Sequence, residues 1–165
     1  MNNIVLIGMP GAGKSTIGVV LAKSIGYKFI DSDLVIQERE GKLLHEIISE
    51  VGDEGFRIVE NNVNVSIDAA KAVIATGGSA VYGIEAMEHF QKIGKIVYLK
   101  HSYKEIEHRL GDLSKRGVTI KAGQTLKDLY DERVPLYEKY ADVEVDCSSK
   151  NIRGIVNEIK ARLFY

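Results

Sequence analysis

Short aliphatic runs alternate along this chain with stretches in which apolar residues return every three or four positions, the pattern of an α/β fold. Asn3 to Ile7 (NIVLI) is continuously aliphatic, as a central strand buried on both faces requires, and it ends at the glycine-rich Gly8 to Gly13. Ile17, Leu21 and Ile25 then share one face, which predicts a helix over Ser15 to Ile25, with Gly26 placed for a left-handed cap. Tyr27 to Ile30, Lys71 to Ala75, Lys95 to Leu99 and Asp142 to Asp146 read as four further strands, the last polar enough for a sheet edge. From Asp33 to about Ala70 the period is helical, with a break near Gly52. Ser102 with Glu105 opens a helix to about Leu110, and Thr125 with Asp128 opens another to about Tyr140. Gly111 to Gln124 has three glycines and no sustained period, the profile of a loop. The expectation is a three-layer sandwich around a five-stranded parallel sheet, with a helical lobe at about 33–70 and a lid at about 111–124.

Composition narrows the class without changing that picture. At 165 residues, 45% hydrophobic and 27% charged, the chain suits one globular domain. The net charge of -1 removes the broad positive footprint of a nucleic-acid or anionic-membrane binder. No apolar stretch is long enough to span a bilayer. The single cysteine, Cys147, forms no internal disulfide, and the first residues lack a signal-peptide layout, so a soluble, cytoplasmic monomer is expected.

Gly8 to Ser15 (GMPGAGKS) satisfies the phosphate-loop pattern GxxxxGK[ST], and it stands directly after a buried strand and before a helix, as its physics requires. Glycines turn backbone N–H groups toward phosphate oxygens, the helix N-terminus adds partial positive charge, Lys14 reaches the β and γ phosphates, and Ser15 can ligate Mg²⁺. Gly11, Ala12, Gly13, Lys14, Ser15 and Thr16 are thus the expected nucleotide contacts. The chain has neither an NKxD-type guanine-reading tetrapeptide nor an aliphatic run ending in Asp-Glu, and both absences favour a kinase over a GTPase or motor ATPase.

Candidate acceptor residues stand after the next strands, at the sheet edge where open α/β folds bind ligands. Asp31 and Asp33 flank Ser32, and in extended chain their side chains point the same way, one toward Mg²⁺ and one toward an acceptor proton. The plainer reading makes Asp33 a helix cap. Arg57, with Glu60 three residues on to orient it, can grip a carboxylate bidentately, or it is a solvated surface arginine. Thr76-Gly77-Gly78-Ser79 allows close backbone approach to a ligand, or it is a tight turn.

Taken in order, GMPGAGKST, the DSD at Asp31 to Asp33, GDEGFR at Gly52 to Arg57, GGS after the third strand, a lid arginine and ERVPLYEKYAD at Glu132 to Asp142 resemble shikimate kinases, within the nucleoside-monophosphate-kinase-like P-loop kinases. The resemblance covers nearly the whole chain. It implies ATP-dependent phosphorylation of the shikimate 3-hydroxyl in aromatic amino-acid biosynthesis, with Mg²⁺ delivered with ATP. It further implies that Asp33, Arg57, Gly77, Gly78 and Arg133 contact the acceptor, with Glu60 supporting Arg57 and Arg133 on its carboxylate. Ser15 and Asp31 then belong to the magnesium shell, Lys14, Asp33 and Arg116 to the transfer step, and Arg109 and Lys150 to the nucleotide side.

Three departures qualify the resemblance. Ser79 stands where the family carries a third glycine, the residues after Arg116 (Gly117-Val118-Thr119-Ile120) lack the usual proline and aliphatics, and Cys147 to Ile152 (CSSKNI) lacks the common arginine and proline. They keep two other readings in play: a kinase for another small hydroxylated carboxylate, and a catalytically weak nucleotide-binding regulator. Against the regulator, a binding module has no use for an acceptor clamp. His45, His89, His101 and His108 share no metal-binding spacing and read as surface residues, and Tyr130 with Tyr137 as a packing stripe.

Overall fold

All five residues of the first strand, β1 (Asn3–Ile7), are buried in the computed structural model, which describes residues 2–111 and 123–164. The strand lies at the centre of a five-stranded sheet of order β2-β3-β1-β4-β5, with β2 Lys28–Asp31, β3 Ala72–Ala75, β4 Gly94–Lys100 and β5 Val143–Asp146. Every neighbouring pair is parallel, so crossover helices cover the faces and the inner strands read as unbroken aliphatic runs. The two strands with two charged residues in four, β2 and β5, take the edges. The described helices are α1 Lys14–Ile25, α2 Ser32–Glu40, α3 Leu44–Val65, α4 Ile84–Ile93, α5 Tyr103–Leu110, α6 Leu126–Tyr140 and α7 Ile152–Leu163. One large apolar cluster joins the sheet to α1, α4, α6 and α7, and each fully buried aliphatic side chain in it contributes about 1.5–3 kcal/mol.

Local signals set most helix ends. Gly26 closes α1 in the left-handed region at φ 74°, and Thr125 and Asp128 cap α6 reciprocally at 3.1 and 3.0 Å. Ser102 caps α5, but the carboxylate of Glu105 turns to Arg109 at 2.8 Å instead of closing a box. Gly52, at φ 77° and ψ 176°, breaks α3 where the period breaks in the sequence. Helix α4 has no local start signal. Gly83 precedes it without a side-chain cap, and Asn61 of α3 accepts the Ala86 N–H at 3.0 Å, so its N-terminus is satisfied from another helix.

A small second cluster, Ile36, Ile47, Phe56 and Val63, holds α2 against α3 beside the sheet. Asn3 binds three backbone groups of neighbouring segments, donating to Ala69 and Ile93 and accepting from Ala72. Next to it the backbones approach closely: a Cβ on Gly94 would lie 2.3 Å from the Asn3 carbonyl oxygen. Gly94→Ala is therefore expected to destabilise the fold by about 1–3 kcal/mol, seen as a lower urea midpoint at unchanged slope. An unshifted midpoint would mean that β1 and β4 separate freely.

Candidate active site

Strands β1, β2 and β3 are neighbours in a parallel sheet, so the loops at their carboxyl ends meet along one edge. The loop after β1 is the glycine-rich one. It turns through left-handed Gly11 and Gly13, at φ 79° and 89°, and delivers Lys14 to the first position of α1. Thr76 ties the loop after β3 to the end of β1, its hydroxyl donating to the Leu6 carbonyl at 2.8 Å. On the far side His101 Nε2 lies 2.9 Å from the Ala12 carbonyl, and Arg109 reaches the Gly11 carbonyl at 3.3 Å. His101 is 3% exposed, so its expected surface position is corrected: it directly follows β4, beneath the phosphate loop.

One cavity of about 360 Å³ lies between these loops, lined by Gly11, Gly13, Lys14, Ser15 and Thr16 on one side and by Asp33, Glu60, Gly77, Gly78, Ser79 and Arg133 on the other. The structure thus gathers the phosphate loop and most of the predicted acceptor residues around a single space. Arg57 stands beside it, with its guanidinium 3.7 Å above the Tyr82 ring. Lys150 donates to the Asp146 carbonyl and lies 3.4 Å from Glu158. Arg116 and most of the lid segment at about 111–124 lie outside the described residues.

The two aspartates do not project side by side from extended chain, as their spacing suggested. Asp31 ends β2 and is itself the cap of α2: Oδ1 accepts from the Asp33 N–H and Oδ2 from the Ser15 hydroxyl, both at 3.0 Å. Asp33 sits inside the first turn of α2, where the helix turns it toward Lys14 and the cavity. The Asp31–Ser15 pair gathers hard oxygen donors beside the phosphate loop, which suits Mg²⁺.

Burial dominates the electrostatics. It pushes the Asp33 carboxyl up to about 6, with Asp31 adding repulsion, and the Glu60 carboxyl up to about 7. It also lowers Lys14 to about 8, although the ammonium donates to the Gly8 and Met9 carbonyls at 2.7 and 2.8 Å. Arg133 is 1% exposed and lies under the glycine pair: a Cβ on Gly78 would be 3.0 Å from its Nη1. The cavity therefore pairs a cationic floor with two carboxyls poised near neutrality.

Several residues that build this site carry no separate signal in the sequence. Tyr82 lies between the two arginines, stacked on Arg57, with its hydroxyl donating to Glu132 at 2.7 Å and Arg133 Nε 3.4 Å away. Tyr137 packs as its spacing suggested, 5.1 Å from the Tyr98 ring, and its hydroxyl also holds the Gly78 carbonyl at 2.7 Å. The Glu60 support for Arg57 takes another form, because Glu60 accepts a 2.6 Å hydrogen bond from Ser79.

Comparison with known proteins gives a consistent result. The family model described as "Shikimate kinase" matches residues 10–164. A shikimate kinase of Francisella tularensis subsp. novicida is 40% identical over 165 residues, covering 98% of this chain and 94% of that protein. Among solved structures, a shikimate kinase from Acinetobacter baumannii in complex with shikimate superposes with a TM-score of 0.88 at 30% identity, over 99% of this chain and 93% of that one. One from Aquifex aeolicus gives 0.85 at 31% identity, over 98% and 96%.

Proposed function

Because the chain belongs to the shikimate kinase family, we propose that the cavity between the phosphate loop and Asp33 is where it transfers the γ-phosphoryl group of ATP to the 3-hydroxyl of shikimate. The observation that carries the site reading is Lys14 and Asp33 lining one cavity together with Arg133. Phosphoryl transfer is mainly positioning and charge stabilisation, and these residues divide that work. The phosphate loop binds the β and γ phosphates through its N–H groups and Lys14. Arg133 and Arg57 take the acceptor carboxylate, and the backbone of Gly77 and Gly78 lets the ring approach closely. Asp33 accepts the proton of the attacking hydroxyl.

Ser15 and Asp31 are the residues that would hold Mg²⁺. The ion delivered with ATP supplies charge neutralisation on the phosphates. The resemblance assigns Arg116 to the transferring phosphoryl group, Arg109 and Lys150 to the nucleotide, residues about 33–70 to the acceptor lobe and about 111–124 to the lid of a single kinase domain. We read the enzyme as a monomer acting on small molecules, without nucleic acid or membrane. Among the described residues no helix is long and apolar enough to cross a bilayer. The substrates and the single buried thiol of Cys147, raised by burial to about 11, suit the cytoplasm.

The test is ADP release with MgATP and shikimate beside quinate, gluconate, homoserine and nucleoside monophosphates, with Lys14→Ala as background. Turnover confined to shikimate is expected, and turnover with another acceptor alone would move the substrate. The pH profile supplies a second check. An aspartate must be ionised to accept a proton, so with Asp33 at about 6 and Glu60 at about 7, kcat/KM is expected to fall below pH 6–7 instead of below 4. Lys14 at about 8 loses charge on the alkaline side, and bound phosphates favour its charged form, so the alkaline limb of kcat should lie above that of kcat/KM. An acid limb near pH 4 would remove these carboxyls from the rate.

A further inference from the structure

Glu60 is 2% exposed and its two oxygens have different surroundings. Oε1 accepts the Ser79 hydroxyl at 2.6 Å, whereas Oε2 is buried with no hydrogen-bond partner. A Cβ on Gly77 would stand 2.9 Å from both Oε2 and Asp33 Oδ1, so this unpartnered oxygen sits beside the proposed base, across a glycine that leaves the space open. A buried carboxylate oxygen without a donor is destabilising, a cost relieved when a ligand hydroxyl arrives. Arg57, three residues earlier, does not meet that need: its guanidinium stacks on Tyr82 and its Nε also lacks a hydrogen-bond partner.

We propose that Ser79 is a positioning residue for the acceptor: by donating to Oε1 it locks Glu60 in the rotamer that presents Oε2 to an acceptor hydroxyl next to the one Asp33 deprotonates. The turn after β3 then does two jobs, close backbone approach through Gly77 and Gly78 and side-chain aiming through Ser79. The hydroxyl that marks this chain's departure from a glycine triplet works on the acceptor through Glu60 and does not obstruct it. Charged groups face Glu60 from four elements: Asp33 on α2, Arg57 on α3 itself, Arg133 on α6 and Lys14 on α1. Its ionisation is thus sensitive to any change in donor count. This inference rests on the kinase reading above.

The experiment compares Ser79→Ala, Ser79→Thr and Glu60→Gln with the parent enzyme in steady-state kinetics with shikimate. Ser79→Ala is expected to raise the acceptor KM about tenfold, the value of one hydrogen bond to a charged group, with kcat changed less than about threefold and the KM for ATP unchanged. Because the lost O–H favoured the carboxylate, the acid limb of kcat/KM should move to higher pH; Ser79→Thr, which keeps a hydroxyl, should retain the parent limb. In a Glu60→Gln background Ser79→Ala should leave the limb unmoved. An unchanged acceptor KM and limb in Ser79→Ala would overturn the proposal, as would equal rises in both substrates' KM with a lowered Tm, the mark of a merely structural role. A parent enzyme that turns over another acceptor but not shikimate would defeat the substrate reading itself, and the proposal with it.

Discussion

Asp33→Asn is expected to bind ATP as the parent does and to transfer its phosphoryl group about 10²–10⁴-fold more slowly. Asparagine keeps the volume and the backbone, so the Asp33 N–H still donates to Asp31 and α2 starts where it did. The phosphate loop is untouched. What disappears is a carboxylate whose pKa burial and Asp31 hold at about 6, close to the range where a base is both ionised and able to take a proton. Lys14 also loses a facing negative charge, but the bound phosphates replace it and hold the ammonium charged, so ATP binding is retained. Single-turnover rates beside ATP titration separate the two effects, and a normal rate would transfer the base role elsewhere.

Arg133→Ala is expected to raise the acceptor KM by about 10²–10³-fold, the cost of removing one partner from a buried, hydrogen-bonded charge pair. The same change should lower stability by about 3 kcal/mol, because the side chain is 1% exposed and its charge is among the few that offset the buried carboxyl of Glu60. Arg133→Lys separates charge from shape. The ammonium restores part of the stability, but it cannot reproduce a planar fork toward a carboxylate, so KM should remain high. Acceptor titrations and urea denaturation of both variants check this, and an Arg133→Ala enzyme with normal acceptor KM would remove the clamp.

Adjacent residues made the frame of the molecule readable. The aliphatic run at Asn3 to Ile7, the glycine at position 26 and the Thr125–Asp128 box each depend on physics acting over a few positions, and the corresponding elements form close to the expected residues. The start of helix α4 has no signal in adjacent residues because its N-terminus is capped from Asn61, in a different helix. Asp31 and Asp33 were legible as a pair but not in their geometry. Extended spacing would point them together, whereas the helix that begins between them gives one the cap and the other the cavity.

By itself the sequence determined the phosphate loop, the order of the strands and of most helices along the chain, and Asp33 and Arg57 as acceptor candidates, with Arg133 added by the family resemblance, since motif and period are properties of consecutive side chains. Only the tertiary structure decided which of those candidates share a space and who supports them. Ser79 meets Glu60 across 19 residues, Tyr137 reaches Gly78 across 59, and His101 reaches Ala12 across 89. Each is a hydrogen bond between groups far apart in the chain whose meeting depends on how the helices and strands pack, and no local pattern encodes that packing. Burial also set the carboxyls of Asp33 and Glu60 near neutrality, a property of the surrounding low-dielectric space and not of the residues themselves.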